Sequence, residues 1–170
     1  MRAHKQGTDI RQAQIAEATL KVVGERGLRG LSVAAVAAEV GLAPSALYRH
    51  FPSVNDMLGA AMVLLHQQIS ETFASLRKET GGPLDVLRDF FFHHAQREPG
   101  HIAAGHILFS NVLYTGAREL RVQGQAIARD LLARIAGLLR EAQGLGTVRE
   151  DVDAETLALV YIGLPPPHHS

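Results

Sequence analysis

The chain has 170 residues, enough for one large domain or two small ones, and its 46% hydrophobic and 20% charged composition is globular rather than disordered. It contains no cysteine, which excludes disulfides, thiolate zinc sites, iron–sulfur clusters and cysteine nucleophiles together. Seventeen basic and seventeen acidic residues cancel, but residues 1–51 carry seven Lys/Arg against four Asp/Glu, leaving +3 there and −3 in the rest: a basic head on an acidic body, and a weak signal of a polyanionic partner.

The apolar run from Met57 to Leu65 covers nine residues, far short of the roughly 20 that a membrane-spanning helix needs. The N-terminal residues are polar, without the apolar stretch of a signal peptide. The expectation is a soluble cytoplasmic protein with no membrane partner.

Hydrophobic spacing is helical almost throughout, with no alternating strand pattern. Thr8 and Asp9 offer N-cap oxygens to a first helix whose stripe includes Ile15, Ala18, Thr19, Val22 and Val23 and which stops at Gly27. Ser32 caps a short second helix with Val33, Val36, Ala37 and Val40 on its buried side, and Gly41 ends it. Pro44 falls in the first turn of a third, where a missing N–H costs nothing. Ser53 and Asp56 open a long fourth helix that ends before Gly81 and Gly82. A fifth starts at Pro83 and stops at Pro99-Gly100, a sixth spans about 102–114, a long seventh about 117–143, and Asp153 caps the last. Pro165, Pro166 and Pro167 cannot continue that helix, and residues 165–170 read as an irregular, processed end. The predicted fold is all-α: an N-terminal three-helix unit over 1–53, then a C-terminal helical bundle over 54–164.

The informative stretch runs from Ser32 to Phe51. Ala37 is small where the next helix crosses, Gly41 stands four residues later in the turn, and Val36, Val40, Leu42 and Leu47 make the apolar seam between the helices. That spacing alone also suits a helical hairpin inside a bundle. Tyr48, Arg49 and His50 add a phenol, a guanidinium and an imidazole to the same short helix, next to an anchoring Phe51. Such groups donate to phosphates and base edges, as the second helix of a DNA-binding helix-turn-helix does.

Ile15-Ala16-Glu17-Ala18, Gly27, Leu31-Ser32-Val33, Val36-Ala37, Gly41-Leu42 and above all Ala46-Leu47-Tyr48-Arg49-His50-Phe51-Pro52-Ser53 resemble the DNA-binding domain of TetR-family transcriptional regulators over about residues 10–62. The resemblance implies a homodimer on a palindromic double-stranded DNA operator, usually a repressor, released when a small-molecule inducer enters the C-terminal bundle. Carried over by position, it implies that Ser32 caps the second helix and touches a phosphate. Pro44, Ser45 and Arg49 would face base edges, and Tyr48 and His50 would grip the backbone. A polar arm with Arg2, Lys5 and Arg11 would add phosphate or minor-groove contacts. The family's ligand site lies among the later helices, which makes Met62, His66, Phe91, His94, His106, Phe109 and Tyr114 its candidate walls. The chain departs from the family pattern at Val54, where a lysine is common, and at the three prolines, where the last helix normally continues into a four-helix dimer interface.

Nine histidines raise the question of a metal. His93 and His94 are adjacent and so point about 100° apart on a helix, while His101 and His106 are five apart, off a shared face. His94 and Glu98 have i, i+4 spacing, but no metal or other cofactor is expected. Phe90, Phe91 and Phe92 read as core, with a ring or two free to line a cavity. Gly-x-Ser-x-Gly, phosphate-loop and His-Glu-x-x-His motifs are absent, so no enzyme is expected. The alternative to a DNA-binding regulator is a helical protein-interaction module without DNA binding.

Overall fold

The computed structural model describes residues 2–95 and 99–163, with backbone alone for residues 2–6, 93–95, 99–101 and 114. Among the described residues all regular structure is helical. In chain order the helices are α1 (Arg2–Arg26), α2 (Val33–Val40), α3 (Pro44–Leu47), α4 (Val54–Thr80), α5 (Pro83–Ala95), α6 (Pro99–Leu108), α7 (Val112–Thr115), α8 (Arg118–Gly144) and α9 (Ala154–Gly163), with a single 3-10 turn at Leu28–Gly30. The irregular end at 165–170 lies outside the described residues.

Several boundaries differ from the sequence expectation. α3 ends at Leu47, so Tyr48, Arg49 and His50 lie in the turn after the helix rather than on it, and α6 begins at Pro99 rather than near Ile102. The first helix begins at Arg2, so Thr8 and Asp9 lie inside it rather than capping it. Ala3, Lys5 and Gln6 are good helix formers, and no proline separates them from the apolar stripe, so the helix runs through Gly7. The expected sixth helix is two, α6 and α7. Ser110 divides them: its Oγ donates to the Ile107 carbonyl at 2.7 Å and accepts from the Val112 N–H at 3.3 Å, local bonds that compete with the helical ladder.

The chain divides into two compact units. The first is Met1–Gln67 with Pro99–Gln125. Its helix-turn-helix core gathers Ile15, Ala18 and Val22 of α1, Ala35, Val36 and Ala37 of α2, Leu47 of α3 and Met57 of α4, with Leu31, Val33, Val40, Leu42, Phe51 and Val54 packed around them. Each large side chain enclosed this way contributes about 1.5–3 kcal/mol by leaving water. Thr19 is buried among them, and its hydroxyl is satisfied by the Ile15 carbonyl at 2.8 Å. α6 packs along α1 and buries Ala103, Ala104 and Ile107. The first part of α8 lies on α4, where the Gln123 side-chain amide donates to the Gly59 carbonyl at 3.3 Å.

The second unit is Gln68–Glu98 with Ala126–Ser170. Phe73 of α4 stacks on Phe90 of α5 with ring centroids 4.3 Å apart, amid buried Leu76, Val86, Leu87, Ile135 and Leu139. Arg134 of α8 is held by Asp130 and by the Ser70 hydroxyl, each at 2.9 Å, and Arg77 pairs with Glu141 at 2.6 Å. After α8 the Gln143 amide closes the loop by donating to the carbonyls of Arg149 and Val152 at 2.9 and 2.8 Å. Asp153 then caps α9, its carboxylate accepting from the Thr156 N–H at 2.8 Å.

Candidate nucleic-acid interface

Local chemistry builds the helix-turn-helix step by step. Ser32 is extended at φ −150°, and its Oγ accepts from the Ala35 N–H at 3.0 Å, which starts α2. Gly41 ends it in the left-handed region at φ 76°, ψ 33°, a conformation that disfavours any residue with a Cβ. The N–H groups of Gly41 and Leu42 both reach the Ala37 carbonyl, at 2.9 and 3.0 Å, which closes the turn on the small residue beneath it. Pro44 then occupies the first turn of α3, and the N–H groups of His50 and Phe51 both bond the Leu47 carbonyl at 2.9 Å.

Burial sorts α3 and the turn after it into two sides. Leu47 has no exposed surface, while Tyr48 is 54% exposed. Pro44, Ser45, Tyr48 and Arg49 are all exposed, and their i, i+1, i+4, i+5 spacing puts them on one helical face with Leu47 directed into the core. Ser32 is exposed as well. His50 is half-buried: its Nδ1 is enclosed without a hydrogen-bond partner among the described residues, and its carbonyl accepts from the Gln12 side-chain amide at 3.4 Å. The outward face thus offers a hydroxyl, a phenol and a guanidinium on a rigid, core-anchored support, the donor set that contacts to phosphates and guanine require.

Three residues beside this face were not singled out from the sequence. Gln12 is one. The others are Lys21 of α1 and Glu39 of α2, which meet at 2.5 Å, with Glu25 at 3.9 Å from the same ammonium. The hydrogen bond to Glu39 pushes the Lys21 ammonium above its usual value, so it stays charged. These partners are 18 and 38 residues apart, and no periodicity in the sequence announces them. Among basic residues in this region, Arg11 of α1 is half-buried at a polar hollow of about 350 Å³ that Lys21 and Glu39 also line; the side chains of Arg2 and Lys5 lie outside the described residues.

The candidate ligand walls fall in different surroundings. Met62 is fully buried against Gly124, where an added Cβ would sit 3.2 Å from its Cε, and His66 is half-buried. His106 is exposed beside Gly27, and Phe109 is 70% exposed; all four belong to the first unit. Phe91, in the second unit, is half-buried with its ring 5.9 Å from that of Tyr161. The side chains of His94 and Tyr114 lie outside the described residues. The second unit also carries an open groove of about 370 Å³ whose lining includes Phe73, Val86, Leu138, Arg77 and Arg134, none of them chosen from the sequence. Among the described residues no three His, Asp or Glu side chains cluster as metal ligands would, and no helix is long and apolar enough to cross a membrane.

The family described as bacterial regulatory proteins, tetR family, matches residues 15–61, the segment that holds this face. The nucleoid occlusion factor SlmA of Photobacterium profundum is 30% identical over 160 residues, covering 89% of this chain and 74% of that protein. The chain belongs to the TetR family of bacterial regulatory proteins.

A second relative, the HTH-type transcriptional regulator PksA of Bacillus subtilis, is 39% identical over 61 residues, 36% of this chain. The match spans 30% of PksA, and matches to SlmA proteins of other bacteria span 41% to 56% of their lengths. Among solved structures, a TetR-family transcriptional regulator from Agrobacterium tumefaciens shares the fold at a TM-score of 0.80 and 17% identity, over 91% of this chain and 83% of that one.

Proposed function

We propose that this TetR-family chain is a DNA-binding transcriptional regulator, a repressor that holds a palindromic operator as a homodimer in the cytoplasm and leaves it when a small molecule binds. Residues 1–53 read DNA, and 54–164 bind ligand and dimerise. The observation that carries the reading is the exposed face of Pro44, Ser45, Tyr48 and Arg49 anchored by wholly buried Leu47.

Arg49 reads a guanine edge with its forked donors, beside Pro44 and Ser45. Tyr48, Ser32 and His50 hold phosphates, His50 through Nε2, since its Nδ1 is enclosed. Two such faces in a dimer reach successive major grooves when about 34–36 Å apart. Induction needs no new contact with DNA, only a ligand that binds better to a dimer with the wrong spacing. In the first unit its walls are drawn from Met62, His66, His106 and Phe109.

The test is a gel shift on DNA from upstream of the chain's own coding region, repeated across a salt series and with nonspecific competitor. Retention that survives competitor and weakens steeply with salt supports the reading, because release of counterions is the mark of phosphate contacts. A dimeric preparation that retains neither this fragment nor any member of a randomised DNA pool overturns it and favours a protein-interaction module.

A further inference from the structure

The reading face sits on a very short helix, Pro44–Leu47, followed by a single turn. Four residues of helix cannot fix their own orientation, because nucleating one hydrogen-bonded turn is unfavourable in isolation. The direction in which Arg49 points is therefore set by what α2 and the end of α3 rest on. Two polar bridges reach them from the same support. Lys21 of α1 meets Glu39 of α2 at 2.5 Å, two residues before Gly41 closes the helix-turn-helix. Nine residues earlier on α1, Gln12 donates to the carbonyl of His50, the residue next to Arg49.

We infer that α1 is a two-point clamp for the DNA-reading face, with Lys21, through Glu39, and Gln12, through His50, as positioning residues that need not touch DNA themselves. The inference rests on the DNA-binding reading above for its consequence but not for its geometry. Lys21 also neutralises a carboxylate that would otherwise repel the phosphates α2 approaches. Its charge is engaged within the protein, so its part in binding is transmitted through Glu39 rather than delivered to the duplex.

Charge exchange separates a positioning lysine from a phosphate-binding one. In Lys21→Glu the bridge is replaced by two like charges, and operator affinity is expected to fall about threefold to fivefold, the scale of an exposed ion pair. In the double exchange Lys21→Glu with Glu39→Lys the net charge and the bridge are both restored, and affinity returns to that of the unaltered protein with the same salt slope. A lysine that contacted phosphate directly would not be rescued, because position 21 stays acidic. Gln12→Met is expected to lower operator affinity while leaving the salt slope unchanged.

Hydrogen exchange without DNA keeps the clamp distinct from the function that it serves. The amides of Gly41, Leu42 and His50, bonded to the carbonyls of Ala37 and Leu47, are expected to exchange faster in Lys21→Glu and to recover in the double exchange. That pattern upholds the clamp even in a protein that retains no DNA, which would count against the regulator reading alone. Unchanged exchange in Lys21→Glu, or a double exchange that stays as weak on the operator as the single, overturns it.

Discussion

The Tyr161 hydroxyl donates to the Leu87 carbonyl at 2.7 Å and so ties α9 to α5 within the second unit. The ring lies 5.9 Å from that of Phe91, and burial pushes the phenol above its ordinary ionisation range, so it remains a donor at any working pH. Tyr161→Phe keeps the ring and removes the bond. Its expected cost is about 1 kcal/mol, the net worth of one such hydrogen bond, read as a lower urea midpoint at unchanged slope. An unaltered midpoint would mean that the ring contacts alone hold α9.

Gly124 of α8 faces a filled interior. A Cβ there would sit 2.1 Å from Leu113 Cδ2 and 3.2 Å from Met62 Cε, so one of these side chains must move in Gly124→Ala. Overpacking of this kind costs about 1–3 kcal/mol, more than the gain from alanine's better helix propensity. The prediction is net destabilisation in urea. A more stable variant would show that Leu113 has room to swing away, and that this part of the interior can yield to a ligand beside Met62.

How much was legible in the sequence depended on how local each feature is. Ser32, Gly41 and Pro44 act on backbone groups within a few residues, and each caps, turns or starts a helix where their chemistry predicts. Ser110 acts just as locally but is read less easily, because a serine within an apolar pattern is common inside helices and only its two bonds break this one. Thr8 misled for the converse reason: a good N-cap residue does not start a helix when helix formers precede it. Pairs such as Lys21 with Glu39, and Arg77 with Glu141, 64 residues apart, depend on which helix faces meet, and periodicity does not encode that. The caps and turn of the helix-turn-helix were therefore readable, whereas the end of α3 at Leu47 and the groove beside Arg77 and Arg134 were not.

Acid should act on the cap of α9. The Asp153 carboxylate accepts from the Thr156 hydroxyl at 2.7 Å as well as from its N–H, and these bonds hold it below the usual carboxylate value. Asp151 and Glu155 are lowered in the same direction by Arg149 and Arg140. A depressed folded value means that the stabilisation is fully present above the unfolded value and is lost as pH falls through the folded one. Asp153→Asn keeps an oxygen for the cap and cannot titrate. Urea midpoints of the two proteins should therefore differ by a constant amount above about pH 5 and converge below about pH 4, where the aspartate gains a proton. Parallel midpoints across that window would remove Asp153 from the acid response.

Arg49 and Tyr48 are adjacent, both exposed, and assigned different tasks. A guanidinium that forks onto guanine discriminates by about 1–3 kcal/mol against the wrong base, whereas a phenol on a phosphate carries no sequence information. Arg49→Ala is expected to flatten the preference at one base pair in each half-site and to lower the salt slope little. Tyr48→Phe should weaken operator and random DNA by the same factor, leaving their ratio intact. Both variants keep Leu47 and the caps of Ser32 and Gly41, so helicity and unfolding midpoint serve as controls for each. Selection from a randomised pool reads the two outcomes directly. If Arg49→Ala recovers the same consensus as the unaltered protein, base reading belongs instead to Ser45 and Pro44, and Arg49 joins Tyr48 on the backbone.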